Sequence, residues 1–435
     1  RLAGLPLAFT TVPAEAAAEA VQRATAYHTA VSTGQGTPDP QVFCRVRLCE
    51  AAGCRIAVVL NTDRERPREQ VTVTLDAGGA SAVEISTSLY AAGSRAFVLL
   101  PAPEAAAPQE KRRPAGEVVL REPVAYRLSE ETPCVLDFAR WRFCGGEWQP
   151  AQEVLRVDAA VRDLVGIEHR GGGMLQPWYA KRFDAEVYGE LELEYEFFVD
   201  ELPEGPLTLA AERPERNEYR LNGTPLHCPD PGRFWVDIAF KRMPLEPSLL
   251  RPGRNVVTVK TAFRRTSNVE AVYLLGRFGV ALDGVRKTLT ALPERIGFGN
   301  LADYRLPFYT GSVFYELPAG LPSGLELTPG DRITLSPESF HGALFKVYAD
   351  GRLLDRVGWE PYEADVTEAL REGQRLTVEL VGTRRNTFGP LHLVPLYDTS
   401  YGPEHFVMTG ERWTDAYNLI DSGIHGGIRL TVQRG

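Results

Sequence analysis

Apolar and polar residues alternate with a period of two along most of this chain, the pattern of strands with one buried face. Runs 43–48 and 55–60 flank Ala51-Ala-Gly53 and predict a hairpin, and runs 71–75, 83–85 and 96–100 follow at the spacing of a small β-sandwich. The clearest alternation is Glu190-Leu-Glu-Leu-Glu-Tyr-Glu-Phe197. Leu191, Leu193, Tyr195 and Phe197 share one face there, and the four glutamates share the other. Only residues 13–32, rich in Ala and Glu and opened by Pro13, predict a long helix. Gly34-Gln-Gly36-Thr-Pro38-Asp-Pro40 then reads as a linker, and residues 102–116, rich in Pro, Ala and charge, as a connecting loop. The expectation is an all-β chain with one N-terminal helix.

One phrase occurs twice. Tyr348-Ala-Asp350-Gly351-Arg-Leu-Leu354 sets Asp-Gly between two apolar runs and predicts a tight hairpin, because both central residues of such a turn need positive φ. Asp365-Val-Thr-Glu-Ala-Leu370 predicts one helical turn opened by a capping Asp or Thr. Gly373 stops it, and Leu376-Thr-Val-Glu-Leu380 is the next strand. Upstream, Asn222-Gly223, Leu249-Leu250-Arg-Pro-Gly253 and Val256-Val-Thr-Val259 form a looser copy. The offset is 128 at the turns (350 and 222) and 120 at the leucines (370 and 250), so the first copy carries eight extra residues between them. Strand alternation also slips by one inside the second block. Two related β-domains in tandem are predicted.

The length, 435 residues, suggests about three domains, and the net charge of −9 argues against nucleic acid or an anionic membrane as the main partner. No apolar run approaches the ~20 residues of a membrane span. Cys44, Cys49, Cys54, Cys134, Cys144 and Cys228 include no Cys-x-x-Cys pair, which argues against structural zinc. Free thiols on short strands lean towards a reducing, cytoplasmic compartment over secretion. With Arg1 first, and neither an initiator Met nor a signal peptide, the chain is expected to be a fragment of something larger.

No phosphate loop, His-Glu-x-x-His or Gly-x-Ser-x-Gly occurs, so no catalytic residue is assigned. Asn222-Gly-Thr224 fits a glycosylation acceptor in form, but its Asn-Gly is better explained as the turn. The Glu190–Glu196 row can serve a cation or a sugar, yet a solvated sheet face is the simpler reading. Glu360 and Glu363 flank Trp359 and Tyr362, an acid-and-aromatic set that suits sugars and equally suits an ordinary strand. The best binding candidates follow the last strand of each repeat: Arg264, Arg265 and Asn268, then Arg384, Arg385 and Asn386. Guanidinium and amide groups at a strand end donate to hydroxyl or carboxylate oxygens. With Trp359 and Tyr362 they make up the candidate sugar contacts; salt bridges or loop brackets are the competing role.

These residues also carry a resemblance. Tyr348–Leu354, Tyr362–Gly373 and Leu376–Leu380, with Leu249-Leu-Arg-Pro-Gly253-Arg-Asn255, look like the galactose-binding-like jelly roll of glycoside hydrolase family 2 and its relatives. Asn268–Gly279, Leu306–Gly311, Cys54–Thr62, Val135–Trp141 and Gly146-Glu-Trp148 resemble segments of the family 106 α-L-rhamnosidases. The resemblance implies residues 1–40 as a helix and linker left from a preceding domain and 41–115 as a small β-sandwich. It implies two galactose-binding-like jelly rolls, at 116–283 (with connecting strands) and 284–435. It further implies a non-catalytic C-terminal region of a bacterial glycoside hydrolase, with carbohydrate and the absent N-terminal catalytic barrel as partners and no cofactor. Calcium suits a jelly roll through several oxygen ligands, though no Asp-rich loop marks a site. The alternatives are a carbohydrate-binding module array, or a structural region with no ligand that forms homo-oligomer contacts.

Overall fold

The structure is a computed structural model and describes residues 29–33, 37–39, 41–49, 54–75, 83–99, 113–170, 178, 182–183, 185–228, 230, 232–394, 402 and 405–434. The chain divides into two units, residues 1–111 with 359–362 and residues 112–358 with 363–435. Described strands are nearly all antiparallel, so the all-β expectation holds. Residues 13–28 of the helix expected over 13–32 lie outside the described residues.

The first unit is a sandwich of a four-stranded sheet (Thr37–Pro38, Thr29–Thr33, Arg68–Leu75, Val83–Leu89 in spatial order) and a three-stranded one (Val42–Cys49, Cys54–Asn61, Ser94–Leu99). Two expectations are corrected here. Thr29–Thr33 is a strand rather than the end of a helix, since its Thr and Val residues favour extended backbone and it pairs with Arg68–Leu75, Val31 opposite Val73. Thr37–Pro38, expected in a linker, closes a hairpin on it. Val42, Ala57 and Val59 meet Val71, Val73, Ile85 and Leu89 in the core. Period-two alternation turns Phe43, Val58, Leu60 and Val98 outward, and all four are exposed.

The second unit holds two sandwiches. In one, a five-stranded sheet (Thr132–Leu136, Val272–Gly276, Leu207–Glu212, Asp237–Leu245, Phe234–Trp235) faces an eight-stranded one centred on Val187–Val199 and Gly253–Arg264. The alternating run behaves as its pattern requires. Leu191, Leu193, Tyr195 and Phe197 are buried, and the glutamates form a charge ladder with neighbouring strands. Arg142 meets Glu192 at 2.7 Å, Lys260 meets Glu190 and Glu192 at 3.4 and 3.3 Å, Arg140 lies 3.7 Å from Glu194, and Arg254 pairs with Glu196. Cations drawn from both flanking strands therefore occupy this row.

The other sandwich packs Arg352–Val357, Leu344–Ala349, Leu376–Val381, Ser312–Glu316 and Ala125–Leu128 against Ala364–Asp365, Arg332–His341, Gly423–Arg434 and Arg113–Leu120. Arg113–Leu120 and Ala125–Leu128, which fall mostly within the expected 116–283 segment, thus hydrogen-bond in these C-terminal sheets. The chain lays down two edge strands here, builds the first sandwich, and returns. Residues 113–116, expected in a loop, are part of the edge strand.

The repeat is visible in the backbone. Asn222 and Gly223 have φ of 50° and 87°, Asp350 and Gly351 have 45° and 80°, and each pair turns a hairpin. In both copies the turn residue reaches one further strand. Val256 N–H donates to Asn222 Oδ1 at 3.0 Å, and Arg375 N–H donates to Asp350 Oδ1 at 3.0 Å. The offset is 120 at the positive-φ Gly253 and Gly373 but 119 at Val256 and Arg375, which locates the one-residue slip. The first copy fits one more residue there, in the stretch containing the fully buried Asn255.

A helix also forms outside the one long helical stretch expected, Val154–Val165, with Val154, Val157 and Val161 buried on one face. Glu153 caps its start by accepting from Leu155 N–H at 2.9 Å, and burial pushes this carboxyl well above its ordinary range. Beside it the buried Asp137 accepts from Lys287 Nζ at 2.9 Å and from the Tyr417 hydroxyl, with His392 Nε2 3.2 Å away. Burial alone would raise Asp137, but Lys287 and His392 hold it well below the usual carboxylate range. This cluster fastens the long segment after Leu376–Val381 to the first sandwich.

Candidate functional site

The strand Gly253–Arg264 ends in a tight turn, where Ser267 N–H donates to the Arg264 carbonyl at 2.9 Å and Arg264 N–H donates to Ser267 Oγ at 2.9 Å. The chain then runs through Asn268, Val269 and Glu270 into the strand Val272–Gly276. Asn268 and Glu270 flank the buried Val269 in this segment. Both line a cleft of about 360 Å³ at this end of the sandwich, between the two sheets, with Tyr195, Glu212, Asn217, Tyr219, Thr261 and Arg264. Ligand pockets begin at about this size.

Polar groups converge in the cleft. Asn268 Nδ2 donates to Glu212 Oε2 at 3.0 Å, and Arg170 donates to Glu270 Oε1 at 3.1 Å. The tyrosine hydroxyls are engaged with backbone: Tyr195 donates to the Glu270 carbonyl at 2.9 Å and Tyr219 to the Glu212 carbonyl at 3.3 Å. Asn268 Oδ1 is buried and meets no donor among the described residues. Glu270 lines the cleft with about 32% of its side chain exposed. Burial first, then repulsion from Glu212, pushes its carboxyl up to about 7 against the opposing pull of Arg170 and Asn268. A carboxylic acid that is half protonated near neutral pH can donate or accept a hydrogen bond.

The eight predicted contacts are not gathered in one place. Arg264 and Asn268 line this cleft, with Arg264 Nη1 donating to the Ala185 carbonyl at 3.2 Å. Arg265 turns to Glu168 at 2.7 Å and lies over the Phe183 ring at 5.1 Å. Arg384 pairs with Glu130, and Arg385 is buried. Asn386 is buried as a loop bracket, donating to the Ile420 carbonyl at 2.8 Å and accepting from Ile420 N–H at 2.9 Å. Trp359 and Tyr362 sit on an exposed loop with Glu360 and Glu363. For Arg265, Arg384 and Asn386 the bracket and salt-bridge role is the one the geometry displays. Among the described residues, no three His, Cys, Asp or Glu side chains group as a metal ion would require, and Cys44, Cys134, Cys144 and Cys228 are free thiols.

Sequence reasoning missed Glu212, Glu270 and Arg162. Glu270 lies two residues from the predicted Asn268, and that proximity was the one signal for it in the sequence. Glu212 comes from a different strand, and no spacing announces it.

No family model matches the chain, and no curated protein matches it. Solved structures similar to it include a rhamnosidase from Novosphingobium sp. PP1Y, at 12% identity and a TM-score of 0.32, over 96% of this chain and 26% of that one. An α-L-rhamnosidase from Streptomyces avermitilis, complexed with L-rhamnose, is similar at 11% identity and a TM-score of 0.23, over 82% and 33%. An anti-sigma factor domain-containing protein is similar at 12% identity and a TM-score of 0.16, over 58% and 90%. The chain therefore spans about a quarter and a third of the two rhamnosidase chains.

Proposed function

We propose that this chain is a carbohydrate-binding accessory region of a glycoside hydrolase, and that the cleft beside Asn268 holds the sugar. The observation that carries this reading is the convergence of two carboxyl groups and one amide in a cleft of about 360 Å³ at a sandwich end. Such groups match the alternating donors and acceptors of a polyol, and strand-end loops on a rigid scaffold are where such contacts are placed. The family resemblance of residues 268–279 and 348–380 supports it from the sequence side.

The test is calorimetric titration of the 435-residue chain with L-rhamnose, D-galactose and their methyl glycosides, repeated on Asn268→Ala. Binding that weakens about tenfold or more in the variant supports the reading, the loss expected for one well-placed buried hydrogen bond. Binding indifferent to Asn268 moves the site elsewhere. Hydrolysis of aryl rhamnosides and galactosides by the same chain would overturn its non-catalytic part.

A second reading, a docking region for another domain, draws on a different observation. Phe43, Val58, Leu60 and Val98 make an exposed apolar sheet face, and contiguous apolar surface of this kind is usual where a partner covers it.

A further inference from the structure

The sheet register of the first unit sets two of the six cysteines opposite each other. Val42–Cys49 and Cys54–Asn61 pair antiparallel without a bulge, from Val42 opposite Asn61 to Cys49 opposite Cys54. Residues directly opposed in such a ladder share one face of the sheet, with Cα atoms about 4.5 or 5.5 Å apart according to the pair type. Both separations fall inside the roughly 4.4–6.8 Å that a disulfide spans. The unbroken alternation also fixes which face this is. Val42, Ala57 and Val59 are buried, whereas Phe43, Arg45, Val58 and Leu60, in phase with positions 49 and 54, are exposed. The other cysteines on described strands, Cys44 and Cys134, stand opposite Val59 and Leu274.

We propose that Cys49 and Cys54 form a thiol–disulfide site, closed across the hairpin by a small disulfide oxidant such as glutathione disulfide. One cysteine thiolate attacks the oxidant, becomes a mixed disulfide and releases one small thiol. The opposed cysteine then attacks the protein-side sulfur and releases the second. The protein thiols thus give up two electrons and two protons, and one oxidant disulfide becomes two thiols. The ladder favours the second step, because strand pairing holds the opposed residues together at high effective concentration. The outward face is the one that an oxidant reaches from solvent. The chain carries the bond in an oxidising compartment and two thiols in a reducing one, so its cysteine content does not fix where it works.

Trypsin, cutting after Arg47 and Arg55, isolates both cysteines in one peptide, Leu48–Arg55. The folded 435-residue chain is reduced, freed of reductant, treated with glutathione disulfide, quenched by alkylation and digested without reducing agent. The expected product is Leu48–Arg55 about 2 Da lighter than the dithiol peptide, with no alkyl group attached. Ring closure should run about tenfold or more faster in the folded chain than in concentrated urea, where the same sequence lacks the register. In Cys54→Ser the reaction should stop at the glutathione mixed disulfide on Cys49, and in Cys49→Ser at the one on Cys54. Closure equally fast in urea overturns the proposal that the ladder builds the site, since nearness in sequence would then suffice. Leu48–Arg55 recovered with both cysteines alkylated, with both carrying glutathione, or linked to Cys44 overturns the site itself.

Discussion

Arg162 Nη2 donates to the Ser267 carbonyl at 2.9 Å. The same guanidinium reaches the Arg265 carbonyl at 3.2 Å and is held by Asp158 at 2.6 Å, with Arg162 fully buried. One side chain on the helix thereby fixes the backbone turn from which Asn268 and Glu270 enter the cleft. Asp158→Asn should leave a buried guanidinium without its counter-charge and cost about 3–5 kcal/mol in urea unfolding. It should also weaken the sugar binding proposed for the cleft, because the turn loses its support. Unchanged stability would show that Arg162 does not depend on Asp158.

Asn222 should matter more than its exposed turn suggests. Its amide donates to the Leu249 carbonyl at 2.9 Å and to Asn255 Oδ1 at 2.8 Å, besides accepting from Val256. Asn222→Gly keeps the positive φ and removes the bracket, so a loss of about 1–3 kcal/mol isolates the hydrogen bonds. Asn222→Ala adds backbone strain and should be worse. Thermal unfolding of the two variants checks the order.

Lys287→Met should leave Asp137 charged and buried, with a loss of about 3–5 kcal/mol at neutral pH. Asp137 is held below its ordinary range in the folded chain, so its contribution is present above about pH 3.8 and is lost as pH falls further. Asp137→Asn should therefore flatten the acid limb of a stability profile while lowering the neutral plateau. Urea midpoints between pH 2.5 and 7 distinguish the two effects.

Glu270 gives the opposite sign. Its carboxyl is raised from 4.5 to about 7 on folding, so the folded chain binds more protons and stability falls as pH rises through that window. Glu270→Gln should remove this slope and be the more stable form at pH 8. A variant that loses stability at pH 8 would show that the ionised form of Glu270 is the favoured one.

The local structure of this chain was written in its sequence. The alternation of 190–197, the Asn-Gly and Asp-Gly turns and the helical turn ending at Gly373 rest on backbone preference and on which face is apolar, properties that a short segment carries by itself. The helix Val154–Val165 carries its signal in the spacing of Val154, Val157 and Val161. Residues 29–33 became a strand because a partner strand lay some forty residues ahead, information that the segment does not contain. In the same way only the assembled sheets assign 113–128 to the C-terminal sandwich.

The site follows the same division. That Arg264 and Asn268 stand at a strand end was readable; that Arg265, Arg384 and Asn386 are used by Glu168, Glu130 and Ile420 was not, since each partner is distant in sequence. The sequence determined which residues point outward from each strand. Folding decided which carboxyl groups meet, because burial and repulsion between Glu212 and Glu270 exist only once two sheets close around one cleft.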